Sequence, residues 1–264
     1  MAEVALQAAV SGTKVAQFRI DTIAGNVANL STTAYKRMEV QSSDLFYMNL
    51  KKAGILESST ASKRPVGVQV GMGAKIIGTY RNLSQGPLTQ TSHPFDVALL
   101  GPGYFAVALP NGQIGYTRAG TFKRDPDTGD IVTMDGKPFT DNIAIPANIL
   151  TQDINIAQDG TITAQDPNNS AALVTIGKLS IFTFPNEDGL QAVGDNTFIK
   201  TVGSGDAVTV TDTSGKIQQG WLEQSNVTAV EELTELITAQ RAYELNSRVI
   251  RVVDEVSQDT NAIK

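Results

Sequence analysis

The chain contains no cysteine, which excludes disulfides, a thiolate nucleophile and every cysteine-ligated metal site. That absence suits an oxidising or a reducing compartment equally. With one histidine, a serine triad or a histidine metal cluster would have to be built around His93. His93 stands in Thr91-Ser92-His93-Pro94, which reads as a loop and not as a scaffold that aims an imidazole. No run of lysine or arginine makes an electrostatic footprint, and at a net charge of -6 nucleic acid is not an expected partner. No apolar stretch approaches the roughly 20 residues needed to span a bilayer. The first residues, MAEVALQAAVSG, carry an acid at Glu3, no basic cluster and a thin apolar stretch, so a Sec signal is not expected there.

What the chain does have is 264 residues, 41% of them apolar, enough for a sizeable core. Residues 225–264 hold neither glycine nor proline and read as one long helix. Thr228 with Glu231 three residues on has the spacing of a capping box, and Glu231, Glu232 and Glu235 place negative charge at the positive end of the helix dipole. Glu244 precedes Arg248 by four, the favourable order for a surface ion pair. Apolar residues form one row at Ala242, Leu245, Val249, Val252 and Val256, with Ile263 beyond, and a second at Leu236, Tyr243 and Ile250. The spacing reads both as one wide apolar face that needs cover. The N-terminus supplies a partner. Leu6, Ala9, Thr13, Ala16, Ile20, Ile23, Val27 and Leu30 alternate steps of three and four, the a/d pattern of a helical seam. Small residues on that seam would let a neighbouring backbone approach, while Gly12 and Gly25 each weaken the helix by about 1 kcal/mol. Asn26, Asn29 and Asn246 fall inside these apolar stretches, either as exposed polar positions or as contacts that fix register.

Between the helical ends the period changes. Residues 51–66 are polar, with Gly54, a Ser/Thr cluster and Lys63-Arg64-Pro65, and read as an extended loop; Val66, Val68 and Val70 then begin to alternate, so strands are expected from there. Asn111-Gly112 between two alternating runs predicts a tight hairpin, and Asp127-Thr128-Gly129, Asp135-Gly136 and Asp159-Gly160 mark further turns. Leu179, Ile181 and Thr183 alternate with Phe182 and Phe184. The fold class is therefore α+β: long N- and C-terminal helices packed as a coiled-coil pair, with an inserted antiparallel β-rich domain. The expected division is a discontinuous helical domain of residues 1–34 plus 225–264, a linker region 35–93, and a β-rich outer domain with its return segment at 94–224. Within it, residues 101–106 match G-x-G-x-x-A, but a hairpin follows where a dinucleotide site needs a helix. Asp125, Asp127 and Asp130 around Gly129 lack the closing acid of a calcium loop. No catalytic, cofactor or metal site is expected, and no small-molecule substrate.

One resemblance runs the length of the chain. Residues 23–37, IAGNVANLSTTAYKR, are similar to the N-terminal motif of the bacterial flagellar rod and hook family. Ser225-Asn226-Val227, Glu231-Glu232 and residues 240–247, QRAYELNS, resemble its C-terminal motif. Asp96-Val97-Ala98, residues 101–105, Tyr116-Thr117-Arg118 and Gly120-Thr121-Phe122 resemble its central β region, and length with Leu179 to Phe184 points to the distal-rod branch. Ala34-Tyr35 stands where the family usually has Gly-Phe, and Pro102 interrupts its Gly-x-Gly turn. The resemblance implies a non-enzymatic axial subunit, exported by the flagellar type III apparatus without a cleaved signal, that polymerises into a hollow helical tube and carries motor torque across the periplasm. Its implied partners are further copies of itself, proximal rod subunits, the hook or hook-rod junction, and the basal-body rings; the alternatives are another rod subunit or a short hook protein, or a non-flagellar coiled-coil surface or periplasmic protein. The expected assembly interface comprises Leu6, Ala9, Ala16, Ile20, Ile23, Asn26, Val27, Asn29 and Leu30 on the first helix, and Leu233, Leu236, Tyr243, Leu245, Asn246, Val249, Ile250 and Val256 on the second. The segment holding Lys51, Gly54, Ser58, Lys63 and Pro65 is implicated in keeping the rod straight.

Overall fold

In the computed structural model, which describes residues 2–51, 66–166, 169–210 and 215–262, the chain forms two units: one of Met1–Ala28, Met38–Asn82 and Thr228–Lys264, the other of Asn29–Arg37 and Leu83–Val227. The first unit contains the terminal helices α1 (Ala2–Ala28) and α2 (Ala229–Ala262), packed on one another, and four strands, β1 (Met38–Asp44), β2 (Tyr47–Lys51), β3 (Val68–Gly71) and β4 (Ala74–Arg81). Pairing runs antiparallel from Met38 opposite Arg81 to Asp44 opposite Ala74, and resumes from Tyr47 opposite Gly71 to Lys51 opposite Val68. Leu45 N–H to Gly73 O at 2.8 Å and Met72 N–H to Phe46 O at 3.3 Å bridge the gap, so the four strands are one long ribbon.

The sequence reading expected strands only from about Val66, yet the chain is already extended at Met38. Strand β1 reads MEVQSSD and has no clean alternation; it is a strand because β4 pairs with it and both pack on α1, a tertiary cause that local pattern does not carry. Lys51, read as loop, is the last residue of β2 and pairs with Val68. The expected capping box does not form: neither Thr228 nor Glu231 makes a side-chain bond there, and Glu232 N–H donates to the Thr228 carbonyl as an ordinary helical turn would.

Among the described residues the second unit holds fifteen strands: β5 (Leu88–Gln90), β6 (Val97–Leu100), β7 (Tyr104–Ala108), β8 (Ile114–Thr117), β9 (Phe122–Arg124), β10 (Ile131–Thr133), β11 (Ile154–Ile156), β12 (Thr161–Asp166), β13 (Asn169–Lys178), β14 (Ile181–Thr183), β15 (Gln191–Gly194), β16 (Thr197–Ile199), β17 (Val208–Thr209), β18 (Lys216–Gln219) and β19 (Trp221–Glu223). Six form an antiparallel sheet in the order β15-β16-β8-β7-β14-β17. Along β7 successive side chains take opposite faces. Phe105 and Val107 join a large core with Leu99, Phe122, Phe139, Ile145, Ile162, Leu179 and Ile217, whereas Tyr104 and Ala106 join a smaller one with Tyr116, Phe184, Leu190 and Phe198. Edge-to-face ring pairs tie each cluster, Phe122 with Phe139 at 4.6 Å and Tyr116 with Phe184 at 4.8 Å.

The anticipated hairpin is present: Gly112 N–H donates to Leu109 O at 2.9 Å and Phe105 lies opposite Thr117. Gly101 and Gly103, at φ of 95° and 146°, turn β6 into β7, and a strand follows them. Gly120 answers a different need. Val97 N–H donates to Gly120 O at 2.9 Å, and a Cβ on Gly120 would collide with the Val97 carbonyl. Gly120→Ala should therefore destabilise this unit by about 3 kcal/mol or more in denaturant unfolding; a change under about 1 kcal/mol would show that the backbone there yields freely.

Candidate assembly surface

The helix pair is fastened at definite points. Asn26, 1% exposed, donates through Nδ2 to Met38 O at 2.9 Å and to Glu232 Oε2 at 3.1 Å, and accepts the Met38 N–H on Oδ1 at 2.9 Å. Its amide pairs with Met38 as a backbone peptide would, and its second N–H meets a carboxylate that is itself fully buried. Farther along, a Cβ at Gly12 would come within 2.9 Å of Asn246 Nδ2, so the helices approach closely where glycine leaves room. Moving from 26 back to 12 on α1 matches moving from 232 forward to 246 on α2; the pair is antiparallel and in step. Ala9, Ala16 and Ile23 are buried on α1 and Ala239 on α2, while Leu6, Thr13, Ile20, Leu236, Asn246 and Ile250 are half-buried.

Two details differ from the heptad reading. The seam of α1 ends on Asn26 and leaves Val27 38% exposed, because the pair of hydrogen bonds with the Met38 backbone draws the amide inward. Asn29 and Leu30 follow the end of α1 in a turn, where Thr32 Oγ1 donates to Asn29 Oδ1 at 3.0 Å. On α2 the single wide face resolves into two. Glu232, Ala239 and Asn246, with Leu236 and Ile250, keep a seven-residue spacing along the seam, while Tyr243 in the same row is 39% exposed. The other row is turned away from it: Leu245 is 60% exposed, Val249 45%, Val252 51% and Val256 54%, with Leu233 and Ile237 also bare toward the start of the helix. One helix covers one stripe, and the sequence supplies two. On α1, Leu6, Gln7, Val10, Ser11 and Lys14 line an open groove of about 260 Å³, near the exposed side chain of Phe18.

Within the other unit the chain's two crossing segments meet on a buried carboxylate. Glu223, 1% exposed at its side chain, accepts from Lys36 Nζ at 2.6 Å and Gly86 N–H at 2.9 Å on Oε1, and from Arg118 Nε at 2.6 Å on Oε2. Lys36 also donates to Ser84 O at 2.7 Å, and Arg118 to Gly103 O at 3.1 Å and Gly101 O at 2.7 Å. Burial holds the Lys36 ammonium below its usual pKa; the hydrogen bond and charge of Glu223 oppose that shift, and the charge of Arg118 adds to it. Backbone bonds flank the ions: Ala34 N–H to Glu223 O at 2.8 Å, Arg37 N–H to Asn226 Oδ1 at 2.8 Å, and Asn226 Nδ2 to Ser84 O at 3.1 Å. Ala34, where the resembling family usually has glycine, is buried in the left-handed region at φ 56°, a conformation that costs a β-carbon residue about 1 kcal/mol.

Lys36, Arg118 and Asn226 stood inside recognisable motifs, but their meeting on Glu223 did not show. A glutamate in Trp221-Leu222-Glu223 carries no sign that it is buried. From the sequence Glu232 reads as a charge for the helix dipole and a member of the C-terminal motif, with no sign of burial, and Gly12 as a weakness in the helix. Gly54, Ser58, Lys63 and Pro65 lie outside the described residues, and Lys51 is exposed. His93 is exposed in the turn before β6; among the described residues no group of histidine and acids could hold a metal. Asn26→Leu should lower the unfolding free energy by about 2 kcal/mol, since Met38 N–H and Glu232 lose a partner in a buried place. Asn246→Leu should cost less, and an Asn26→Leu chain with wild-type helical melting would remove the amide from this account.

Comparison with known proteins follows the same order along the chain. Residues 6–36 match the family described as Flagella basal body rod protein, 98–164 the Flagellar hook protein FlgE/F/G D1 domain, and 218–263 the Flagellar basal body rod FlgEFG protein C-terminal. Lys36, Arg118 and Glu223 come one from each. The chain is 40% identical over 263 residues to the Flagellar basal-body rod protein FlgG of Caulobacter vibrioides, covering 98% of this chain and 99% of that one. It is 40% identical over 256 residues to that of Agrobacterium fabrum, covering 96% of each, and 37% identical over 264 residues to that of Borreliella burgdorferi, covering 98% of each. A chain that keeps both terminal motifs, the central β region and the full length of these relatives belongs to the flagellar basal-body rod protein FlgG family, as a structural rod subunit and not an enzyme.

Proposed function

We propose that this subunit builds the distal part of the rod, polymerising through its terminal helices into a hollow helical tube that carries motor torque to the hook. The observation that carries the reading is the second apolar row of α2, left bare by the chain's own α1. A contiguous apolar row of this kind marks an interaction surface. Each leucine or valine covered there contributes roughly 1.5–3 kcal/mol, so a few per subunit hold a neighbour firmly. The row on α2 and the groove on α1 are different surfaces, and a contact between unlike surfaces repeats into an open helix, whereas like surfaces close into a pair. The interface residues named from the sequence divide accordingly. Leu233, Leu245, Val249 and Val256 face further copies, while Ala9, Ala16, Ile23, Asn26, Leu236 and Ile250 hold the subunit's own helices together.

The remaining parts of the reading rest on the family. The subunit reaches its place through the flagellar type III export apparatus without a cleaved signal, joins proximal rod subunits at one end and the hook or hook-rod junction at the other, and turns within the basal-body rings. The segment from Lys51 to Pro65 keeps the polymer straight. Electron microscopy of purified protein under polymerising conditions tests this. Straight tubes are expected from the wild type, and monomer of unchanged helicity from Val249→Asp with Val252→Asp. Curved tubes would favour a hook subunit, and straight tubes from the double variant would remove the α2 row from the interface.

A further inference from the structure

The buried charges of Lys36, Glu223 and Arg118 lie outside both apolar clusters, which reach their last member along the chain at Ile217 on β18. The next strand, β19, pairs only with β5, in a two-stranded piece separate from the six-stranded sheet. Glu223 closes that strand. The two apolar clusters are thus complete along the chain before Glu223; β19 packs beside β6, but the Glu223 carboxylate meets Lys36, Gly86 and Arg118 and its main-chain carbonyl the Ala34 N–H, with Gly101 and Gly103 one step beyond. The order of the charges matters as well. A chain emerging from its N-terminus presents Lys36 and Arg118 well before the carboxylate that compensates them, and two desolvated cations without a counter-charge resist burial. The site is also tight, since a Cβ at Gly86 would collide with the Gln224 carbonyl, while Gln224 N–H donates to Pro87 O at 2.9 Å.

We propose that Glu223 is a closing latch. The core of the body forms without it, whereas the segments around Ala34, Gly86 and Gly101 are fastened only when this one carboxylate seats between Lys36 and Arg118. The latch makes the two crossing segments, 34–37 and 223–226, lock together or not at all. A chain that has not yet delivered its last portion therefore keeps these segments loose on a body whose core is already folded. This inference concerns folding of the single chain and is independent of how copies assemble.

Amide hydrogen exchange on full-length monomeric protein tests it, with Glu223→Gln against wild type. Gly86 should exchange about tenfold faster or more, because its acceptor is the substituted carboxylate, and Ala34, bonded to the Glu223 main-chain carbonyl, should follow as the segment loosens, while Ile131 and Leu179 in the core stay within about twofold. Protection at Ala34 and Gly86 equal to wild type overturns the latch, as does an equal loss at Ile131 and Leu179. If E223Q does not fold, the decision passes to the chain carrying Lys36→Met, Arg118→Met and Glu223→Met together, which leaves no charge unpaired. There a protected core with fast exchange at Gly86 supports the latch, and a protected Gly86 or an unfolded core contradicts it.

Discussion

One carboxylate with two cations, all taken out of water, is the constraint on which the β body's edges depend. Each ion alone would be costly to bury, and loss of water is the largest influence holding Lys36 below its usual pKa, with Glu223 opposing it and the charge of Arg118 adding to it. The arrangement is tolerable because the cations also donate to backbone carbonyls, Lys36 to Ser84 and Arg118 to Gly101 and Gly103. What such a cluster adds is directional. Apolar packing would accept several placements of residues 34–37, whereas an ammonium, a guanidinium and a carboxylate with fixed partners accept one. The three family matches each contribute one member, so the shared motifs have a common physical purpose in this chain.

The helical unit follows a different logic. Its own seam mixes small residues, Ala9, Gly12 and Ala16 against Ala239 and Asn246, with buried Ile23 and half-buried Leu6, Ile20, Leu236 and Ile250, and Asn26 and Glu232 fix the register at one end. Several of its larger side chains are only half covered, so the helix pair gains from further cover. Leu245, Val249, Val252 and Val256 of α2 are exposed among the described residues, an apolar row that the chain's own seam does not use. It suits a subunit whose final stability belongs to the polymer.

Much of this was legible in the chain. The two helices, the change of period between them and the Asn111-Gly112 hairpin follow from spacing alone, because each is set by residues near one another. The separation of Leu245 and Val249 from Leu236 and Ile250 was not legible, because both rows satisfy the same local spacing and only the antiparallel partner decides which is covered. Strands β1 and β2 were missed since their polar residues are extended by pairing with β4 and β3. The meeting of Lys36, Arg118 and Glu223, separated by most of the chain, left no local signal at all. Asn26 lies between: its polar side chain in an apolar seam gives notice of a special role, and its partners are Met38 and, across the helix pair, Glu232.

On the proposed assembly the outward row of α2 is covered by neighbouring subunits. Because the chain has no cysteine, a single Val249→Cys places one thiol on that row. Its alkylation rate by a maleimide, measured in dilute monomer and in assembled rods, reads cover directly. Fast labelling in the monomer and protection of about tenfold or more in the rod is the predicted result. Equal rates in the two states would contradict the account.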